Sequence, residues 1–534
     1  MPSRADSPPL SDRLLRSWLR CRRRAWLDRH GPLERRHWSA HRALALEDQQ
    51  RSFQALLQGR PGRGEAAAQA AMPGVVGLRL RGRSAGVAVE AQPSLLERVP
   101  GASRWGGHAY RPVLARQGRR LTREHRLQLA LWGWLLAEHQ QAPVPQALVV
   151  AGAGRLLERE PLALGDGLRR QLDEALLRLA ADLERPEPPP LVNDRKKCTL
   201  CGWRSLCDAE AAAEGHLSEV SGIGGKRRDL LLGLGIGSLA ELAGRDPQQL
   251  AEELAVHGEQ HREVAAGLVA QALVQAAGAP RRLDAAAALP ELAGAPGVIV
   301  YDIESDPDAR DDFLHGLLLI SCGPDGRWPT PAETAALARY QPLLALQEHG
   351  EARLWRRLSG LLARYPDWPV LHYGETESLG LLRLAERQGA SEAERQALRR
   401  RLVDVHQRLR RHWLLPVNSY GLKAVAGWRG FRWSQSGADG ARCLLWWRQW
   451  RRWRAEASAA GSAGSAASAA SSATTSAITP VAPPLSRCLS ARASGHQLRR
   501  ILRYNRDDGL ATWVVAHWLL EPDQRCGGAA NPGA

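Results

Sequence analysis

The chain has 534 residues, a length that excludes a single ordinary core and predicts two or three domains. Its formal net charge of +17 favours a phosphate-rich or acidic partner, the alternative being an arginine-rich surface that is merely solvated. The first residues lack the apolar stretch of a signal peptide and no later run is long enough to span a bilayer, so we expect a cytoplasmic protein without a membrane partner.

Residues 1–209 are predicted to form an α/β domain. The segment VGLRLRGRSAGVAVEAQ alternates as strands do, LTREHRLQLALWGWLLAEHQ has a helical pattern, and ALVVAG is typical of a strand. A further helix ends near Glu184, and the proline-rich ERPEPPPLVNDRK after it marks the approach to a cluster of cysteines.

The cysteine cluster, RKKCTLCGWRSLC, has the spacing C-x2-C-x5-C, and a fourth cysteine lies far upstream in the helix-like SWLRCRRRAW. These residues are Cys198, Cys201, Cys207 and Cys21. The chain has 8 cysteines in all, too few and too clustered for a secreted disulfide framework. Four thiolates suffice for one metal site, although a zinc ribbon would normally bring two similar C-x-x-C pairs.

Residues 210–280 are predicted to form a small helical module around two glycine-rich turns, SGIGGK and GLGIGS. The first turn has the form of a helix-hairpin-helix, in which glycines let a backbone approach closely and amides at the next helix start bind phosphate. The alternative is an ordinary glycine-capped turn. The predicted nucleic-acid-binding residues are Gly222, Gly224, Gly225, Lys226 and Arg227, with Arg228 adding charge.

Residues 290–525 are predicted to form a mixed sheet covered by helices. VIVYDIES is an almost continuous apolar run that suits a central strand, with FLHGLLLISCG and WPVLHYG as further strands. Residues 456–486 are rich in alanine and serine and are predicted to be a disordered insertion. In LLWWRQWRRWRAE we expect the tryptophans to pack on their own domain, rather than to stack on bases or lie at a membrane.

Two pairs of polar residues point to chemistry in this last region. On a strand, Asp302 and Glu304 project to one side and Ile303 to the other. Two such carboxylates repel each other unless a cation such as Mg²⁺ or Mn²⁺ offsets the charge, although an isolated D-x-E is often only a solvated strand end. Tyr504 and Asp508 lie four residues apart on a predicted helix and share a face. A tyrosine beside a metal ligand can orient or deprotonate an attacking water.

The order D-x-E, middle motif, Y-x-x-x-D resembles the DEDD exonucleases that carry a tyrosine in the third motif. In that family the middle motif places an aspartate soon after a His-Asn pair, whereas LHYGETESL has Tyr373 and Glu377 at the Asn and Asp positions. The resemblance implies an RNase H-like domain, with Asp404 at a secondary acidic position. It also implies metal ligands and a water-positioning tyrosine, which would be Asp302, Glu304, Glu377, Asp508 and Tyr504.

Most of the chain resembles a bacterial family of RecB-like nucleases, in which a PD-(D/E)XK-type domain with iron–sulfur cysteines precedes a YprB-like RNase H domain. This implies that the four cysteines hold a [4Fe–4S] cluster, favoured over zinc, which clamps the first domain together. The family's catalytic acids and lysine are missing, because Ser94, Leu114 and Arg116 stand at their positions. We therefore expect a degenerate first domain, unless a shifted register brings in Glu90 or Glu97.

The predicted protein is thus an α/β multidomain nuclease: a degenerate PD-(D/E)XK-like domain, a helix-hairpin-helix module and an RNase H-like mixed-sheet domain. The last would be a metal-dependent 3′–5′ exonuclease acting on nucleic acid, with DNA favoured over RNA. The alternative is a non-catalytic iron–sulfur protein that binds nucleic acid through decayed nuclease domains.

Overall fold

The structure is a computed structural model that describes residues 8–57, 59–116, 120–152, 157–192, 195–307, 311–346, 350–470 and 485–521, with backbone alone at 196, 197, 311, 457–470 and 485–494. This part of the chain divides into two compact units. The first runs to Glu214 and includes Gly224–Lys226, and the second comprises Gly215–Ile223 and the chain from Arg227 onward. None of the described helices has both the length and the apolarity that a bilayer crossing requires.

The first unit combines helices with two sheets. Its helices are α1 Asp12–Arg20, α2 Arg22–His30, α3 Ala40–Leu57, α4 Gly64–Gln69, α5 Arg123–Gln140, α6 Asp166–Leu183 and α7 Arg204–Ala213. Its strands are β1 Leu10–Ser11, β2 Gly62–Arg63, β3 Gly74–Val76, β4 Leu80–Ser84, β5 Val87–Ala91, β6 Leu95–Ser103, β7 Gly106–Arg116, β8 Gln146–Ala151 and β9 Glu158–Ala163. Helix α7 crosses the predicted boundary at residues 209 and 210, so the first unit extends past the cysteine cluster.

The larger sheet of this unit has the order β2-β3-β6-β7-β8-β9, and the smaller one has the order β1-β5-β4. Strands β6 and β7 are antiparallel, and α5 then crosses over to β8, which is parallel to β7. A long run of α5 is buried because the helix packs between the sheets and α6, and its Trp132 donates to Asp12 Oδ2 at 2.9 Å. The predicted strands VGLRLRGRSAGVAVEAQ form the β4–β5 hairpin.

The helical module contains five helices: α8 Gly225–Gly233, α9 Leu239–Ala243, α10 Pro247–Ala255, α11 Glu259–Arg262 and α12 Ala265–Ala277. Their leucines form a core of their own. The C-terminal helix of the module is also tied to the domain that follows. Gln271 Nε2 donates to the carbonyl of Leu415 at 2.9 Å, and Tyr420 OH donates to Gln271 Oε1 at 3.0 Å.

The C-terminal domain has a five-stranded sheet between helices. The strands of the domain are β10 Arg281–Arg282, β11 Gly297–Asp306, β12 Asp311–Ser321, β13 Arg339–Leu344, β14 Val370–His372, β15 Leu402–Asp404 and β16 Trp413–Leu414. Of these, β10 and β16 form a separate two-stranded sheet. Its helices are α13 Pro331–Leu337, α14 Glu351–Arg364, α15 Glu375–Arg387, α16 Glu392–Arg401, α17 Val405–His412, α18 Leu422–Trp428, α19 Gly440–Ala470 and α20 Leu485–Leu520. The main sheet has the order β13-β12-β11-β14-β15.

Strand β11 is the centre of this sheet, antiparallel to β12 and parallel to β14. Because side chains alternate along a strand, it contributes to two cores. Val298 and Val300 pack in the core that contains the end of α20. Tyr301 and Ile303 pack in the opposite core with α14 and α15. The face that carries Asp302 and Glu304 is therefore the face covered by α20.

Of residues 456–486, predicted to be a disordered insertion, the structure describes backbone at both ends, and the disorder stays a prediction. The backbone of this segment is helical up to Ala470 and again from Leu485. Alanine has the highest intrinsic helix propensity, which explains why this segment continues α19. Residues 471–484 lie outside the described residues.

His315 gives a prediction about stability. Its side chain is fully buried, its Nδ1 is hydrogen-bonded to Tyr301 OH at 2.7 Å, and desolvation lowers its pKa to about 4. Protonation below pH 6.5 therefore favours the unfolded chain, and the stabilisation is lost as the pH falls toward 4. Between pH 7 and 5, wild type should lose about 2 kcal/mol more unfolding free energy than His315→Gln. Urea unfolding at both pH values measures this, and equal losses would contradict it.

Candidate active site

Asp302 and Glu304 lie near the end of β11, and both carboxylates face α20. Asp302 pairs with Gly316 and Glu304 with Leu314 on β12, before an irregularity between Glu304 and Ser305. The expectation that Ile303 points the other way is met, since it packs in the opposite core. Pairing with β12 at these two residues, and with β14 at Ile299 and Val300, fixes where the carboxylates lie.

Asp508 reaches the same place from α20. The helix is anchored just beyond it by Ala511, Trp513 and Val515, which are fully buried. Asp508 Oδ1 accepts a hydrogen bond from Trp433 Nε1 at 2.6 Å, and Asp508 also accepts one from the hydroxyl of Tyr504. The four-residue spacing therefore brings the tyrosine and the aspartate together on one helix face.

Asp302, Glu304 and Asp508 form a carboxylate set whose ligand oxygens lie within 4.8 Å of one another. Burial raises the pKa of all three. The pKa of Asp302 and of Glu304 is well above the usual range because of burial first and then the charge of Asp508, and that of Asp508 rises to about 6. Three buried carboxylates held this close repel one another, so the set favours a bound cation.

Lys423 offsets part of this charge. It lowers the pKa of both Glu304 and Asp508, but its Nζ donates to the carbonyl of Ala438 and lies 5.2 Å from the ring centroid of Tyr504. The ammonium group is therefore a neighbour of the set and is not inserted between its oxygens.

Two further aspartates close by have partners elsewhere. The Arg448 guanidinium donates to both oxygens of Asp306, at 2.9 and 2.7 Å, in a buried pair. Asp507 Oδ2 accepts from the amide and the hydroxyl of Ser434, at 2.9 and 2.6 Å. Asp507 is therefore a neighbour of the carboxylate set and not a member of it.

Glu377 lies beside the carboxylate set but outside the group within 4.8 Å. Burial first, and then the charges of Asp404 and Asp508, raise its pKa to about 7. Its buried Oε2 has no hydrogen-bond partner among the described residues. Asp404 supports the loop before it, because Asp404 Oδ1 accepts from the amide of Gly374 at 3.1 Å.

These residues fit a divalent metal ion. Carboxylate oxygens are the ligands that Mg²⁺ and Mn²⁺ prefer. The three members of the set supply them, and the unpartnered Oε2 of the nearby Glu377 offers a further oxygen. A cation would offset the charge of carboxylates whose pKa values burial raises.

Several residues that contact the set carry no sequence signal. Asn505 Nδ2 donates to Asp302 Oδ2 at 2.6 Å, and the thiol of the fully buried Cys443 donates to Glu304. With Trp433 and Lys423, these residues come from helices and loops far along the chain. Only the assembled fold shows which of them face a carboxylate.

The tryptophan-rich helix α19 packs inward, as expected. Trp446, Trp447 and Trp450 are buried, and Trp447 stacks on Phe313 with ring centroids 4.5 Å apart. These three indoles are therefore not free to stack on bases.

In the first unit, Ser94, Leu114 and Arg116, which stand at the expected positions of the catalytic acids and lysine, lie close together on β7 and just before β6. Leu95 pairs with Val113, which places Ser94 next to Leu114. Leu114 is buried, and the guanidinium of Arg116 pairs with Glu158 at 3.1 Å and Glu160 at 3.7 Å.

The two glutamates of the alternative register have arginine partners. Glu97 pairs with Arg111 at 2.8 Å, and Glu90 lies 3.9 Å from Arg81. Among the described residues, neither belongs to a group of acids, histidines or cysteines that approach one another within 4.8 Å.

The four cysteines of the first unit act on one another. Burial, and then nearby Cys201 and Cys207, raise the pKa of Cys21, which occupies the break between α1 and α2. Burial and then Cys201 and Cys21 raise that of Cys198. Two arginines also donate to these thiols, Arg23 to Cys207 and Arg195 to Cys198. Cys21 therefore lies near the C-x2-C-x5-C segment, but among the described residues no three of these sulfur atoms all lie within 4.8 Å of one another.

The first glycine-rich turn leads into α8, which begins at Gly225. Gly222 has a φ of +92°, which glycine adopts without strain, and its carbonyl accepts a hydrogen bond from Arg227. Arg228 is buried and burial lowers its pKa, so its side chain is less accessible to a ligand than that of the exposed Lys226.

Comparison with known proteins addresses the C-terminal domain. Residues 299–460 match the RNase_H_2 family of the RNase H superfamily, a stretch that contains Asp302, Glu304 and Glu377. The C-terminal domain is RNase H-like. Such a domain indicates a nuclease-type function that cleaves phosphodiester bonds, binds nucleic acid and uses Mg²⁺ or Mn²⁺. No curated protein matches the chain. The RecB-like first domain and the helix-hairpin-helix remain predictions.

Mn²⁺ should stabilise the protein through the carboxylate set. Because a ligand that binds only the folded state adds about 2.7 kcal/mol at a hundred times its Kd, the melting temperature of wild type should rise. Asp302→Asn should abolish the rise and, without metal, should melt no lower than wild type because one repelling charge is gone. Thermal scans with EDTA or MnCl₂ measure both effects.

The control is Asp507→Asn, because Asp507 contacts Ser434 and is not a member of the carboxylate set. This variant should keep the rise in melting temperature. An undiminished rise in Asp302→Asn would contradict the site.

Proposed function

We propose that the protein is a metal-dependent nuclease that removes nucleotides from a 3′ end through its RNase H-like domain. The observation that carries this proposal is the buried carboxylate set of Asp302, Glu304 and Asp508, which has Tyr504 bonded to one member. DNA is the favoured substrate over RNA. The direction of cutting rests on the resemblance of the ordered motifs to the DEDD exonucleases.

In this proposal Asp302, Glu304 and Asp508 hold the metal, and Glu377 joins them as the weakest ligand. Bound Mg²⁺ or Mn²⁺ supplies an activated water and offsets the charge that develops on the phosphate. The glutamate brings one methylene more than the aspartate usual at its position. Its place outside the 4.8 Å group supports a role as a secondary ligand.

Tyr504 would orient the attacking water. Its hydroxyl donates to Asp508, and burial together with the surrounding carboxylates raises its pKa well above the usual value. A tyrosine that keeps its proton at neutral pH positions a water by hydrogen bonding and does not accept a proton from it. This favours orientation over deprotonation, the two roles that the sequence left open.

The helical module would hold the nucleic acid. The turn formed by Gly222, Gly224 and Gly225 leads into the start of α8, where backbone amides and Lys226 suit a phosphate. Arg227 is bonded to the Gly222 carbonyl and would stabilise the turn. The overall charge of +17 supports a polyanionic partner.

Two adjacent aspartates provide a matched test of catalysis. Asp508→Asn should lower Mn²⁺-dependent degradation of end-labelled single-stranded DNA by at least about a hundredfold, a larger loss than is typical of partners outside the metal shell. Asp507→Asn, whose side chain contacts Ser434, should retain activity. A label at the 3′ end should be released before one at the 5′ end.

Equal cleavage by Asp508→Asn and wild type would contradict the proposal. Salt-sensitive DNA binding with no cleavage in Mg²⁺ or Mn²⁺ would instead support the non-catalytic alternative. If Asp508→Asn cleaves at the wild-type rate, the first unit would be the source of the activity.

We also propose that Cys21, Cys198, Cys201 and Cys207 hold a [4Fe–4S] cluster that staples an inactive first nuclease domain. The placement of Cys21 near the other three cysteines supports this proposal, as do the arginine donors at Cys198 and Cys207, which favour the thiolate form. A cluster there would join the break between α1 and α2 to α7 and the segment before it.

Iron and sulfide analysis after anaerobic purification tests this cluster. Wild type should contain about four irons and four sulfides per chain. Cys198→Ser should lose them, whereas Cys322→Ser, which alters a cysteine of the other unit, should not. One zinc per chain and no iron would contradict the iron–sulfur cluster and support a zinc site.

A further inference from the structure

One asparagine of α20 holds the carboxylate of Asp302. Asn505 Nδ2 donates to Asp302 Oδ2 at 2.6 Å, and Tyr340 OH donates to Asn505 Oδ1 at 2.7 Å. Asn505 is only 1% exposed, so water does not compete for these bonds. Since an ionised carboxylate only accepts, the amide nitrogen must face Asp302, and the tyrosine then satisfies the amide oxygen.

The backbone of the sheet is shaped for this asparagine. Gly316 pairs with Asp302 across the β11–β12 ladder. A Cβ atom at position 316 would lie 1.6 Å from Asn505 Oδ1, a separation that no side chain can tolerate. The amide therefore occupies space that glycine leaves open, and contacts from β11, β12 and β13 hold it.

We propose that Asn505 is a positioning residue for the metal site. By holding Oδ2 it fixes the rotation of the Asp302 carboxylate and leaves the remaining lone pairs for a divalent cation. Tyr340 and Gly316 act through Asn505, one by bonding its oxygen and the other by leaving it room. This inference rests on the proposed function, because it assumes that Asp302 binds the metal.

Partners that hydrogen-bond a metal ligand typically change metal affinity about tenfold to a hundredfold. Calorimetric titration of the full chain with Mn²⁺ should therefore show a Kd at least about tenfold higher in Asn505→Ala than in wild type. Gly316→Ala should give a similar rise because its new methyl group displaces the amide. The double variant should be no worse than either single one, since both changes remove the same interaction.

Tyr340→Phe is the milder variant for the case in which Asn505→Ala does not fold. It keeps the ring but leaves the amide oxygen unsatisfied, so the Kd should rise by a smaller factor. The matched control is Tyr301→Phe, which removes a buried hydroxyl that contacts His315 on the opposite face of the sheet. That variant should keep the wild-type Kd.

Activity separates this role from a merely structural one. At saturating Mn²⁺ the cleavage rate of Tyr340→Phe should return toward wild type, whereas at low Mn²⁺ it should be lower. A variant that is only less stable would melt earlier with an unchanged Kd. Wild-type Kd in both Asn505→Ala and Tyr340→Phe would overturn the positioning role.

The same measurements distinguish the two proposals. A shifted Kd in protein that cleaves nothing would support the positioning role and remove the nuclease function. Metal-dependent cleavage by wild type, with the same Kd in the variants as in wild type, would support the nuclease function and remove the positioning role. A wild-type chain that binds no Mn²⁺ would overturn both.

Discussion

The repulsion among three buried carboxylates is the constraint around which the C-terminal domain is arranged. Asp302 and Glu304 come from the central strand and Asp508 from the helix that covers it. Charges removed from water without a partner are costly, and the raised pKa of each group records this cost. Hydrogen bonds from Trp433, Asn505 and other donors offset part of it. The remainder favours a cation, so the cost of burying these carboxylates and their capacity to bind metal have one origin.

Neighbouring side chains decide which acidic residues stay available to a metal. Asp306 lies two residues beyond Glu304, but both of its oxygens accept from Arg448. Asp507 is adjacent to Asp508, but its carboxylate is bonded to Ser434. Acidic residues at almost the same position thus differ because Asp306 and Asp507 are directed to other partners, whereas Asp508 has an oxygen within 4.8 Å of those of Asp302 and Glu304. This selection also makes Asp507 a suitable control for Asp508.

The helix that carries Asp508 is also a main part of the core. Beyond Asp508, residues such as Trp513 and Val515 are fully buried in the core that covers β11. The position of the ligand is therefore set by packing that would cost several kcal/mol to disturb. Asn505, three residues before Asp508, adds a polar connection between the same helix and the sheet. Core and site are linked through one element.

Local periodicity in the sequence determined several features by itself. The two-residue repeat of a strand put Asp302 and Glu304 on one face, and the four-residue spacing of a helix joined Tyr504 to Asp508. Strands β11, β12 and β14 of the central sheet followed from their apolar runs, whereas β13 and β15 were not predicted. The tertiary structure alone decided that Glu377 lies outside the 4.8 Å group, that Arg228 is buried, and that Asn505, Trp433 and Lys423 surround the carboxylates. The reason is physical: periodicity acts over one or two turns of chain, whereas Asn505 and Asp302 are separated by 203 positions and meet only when α20 packs on β11.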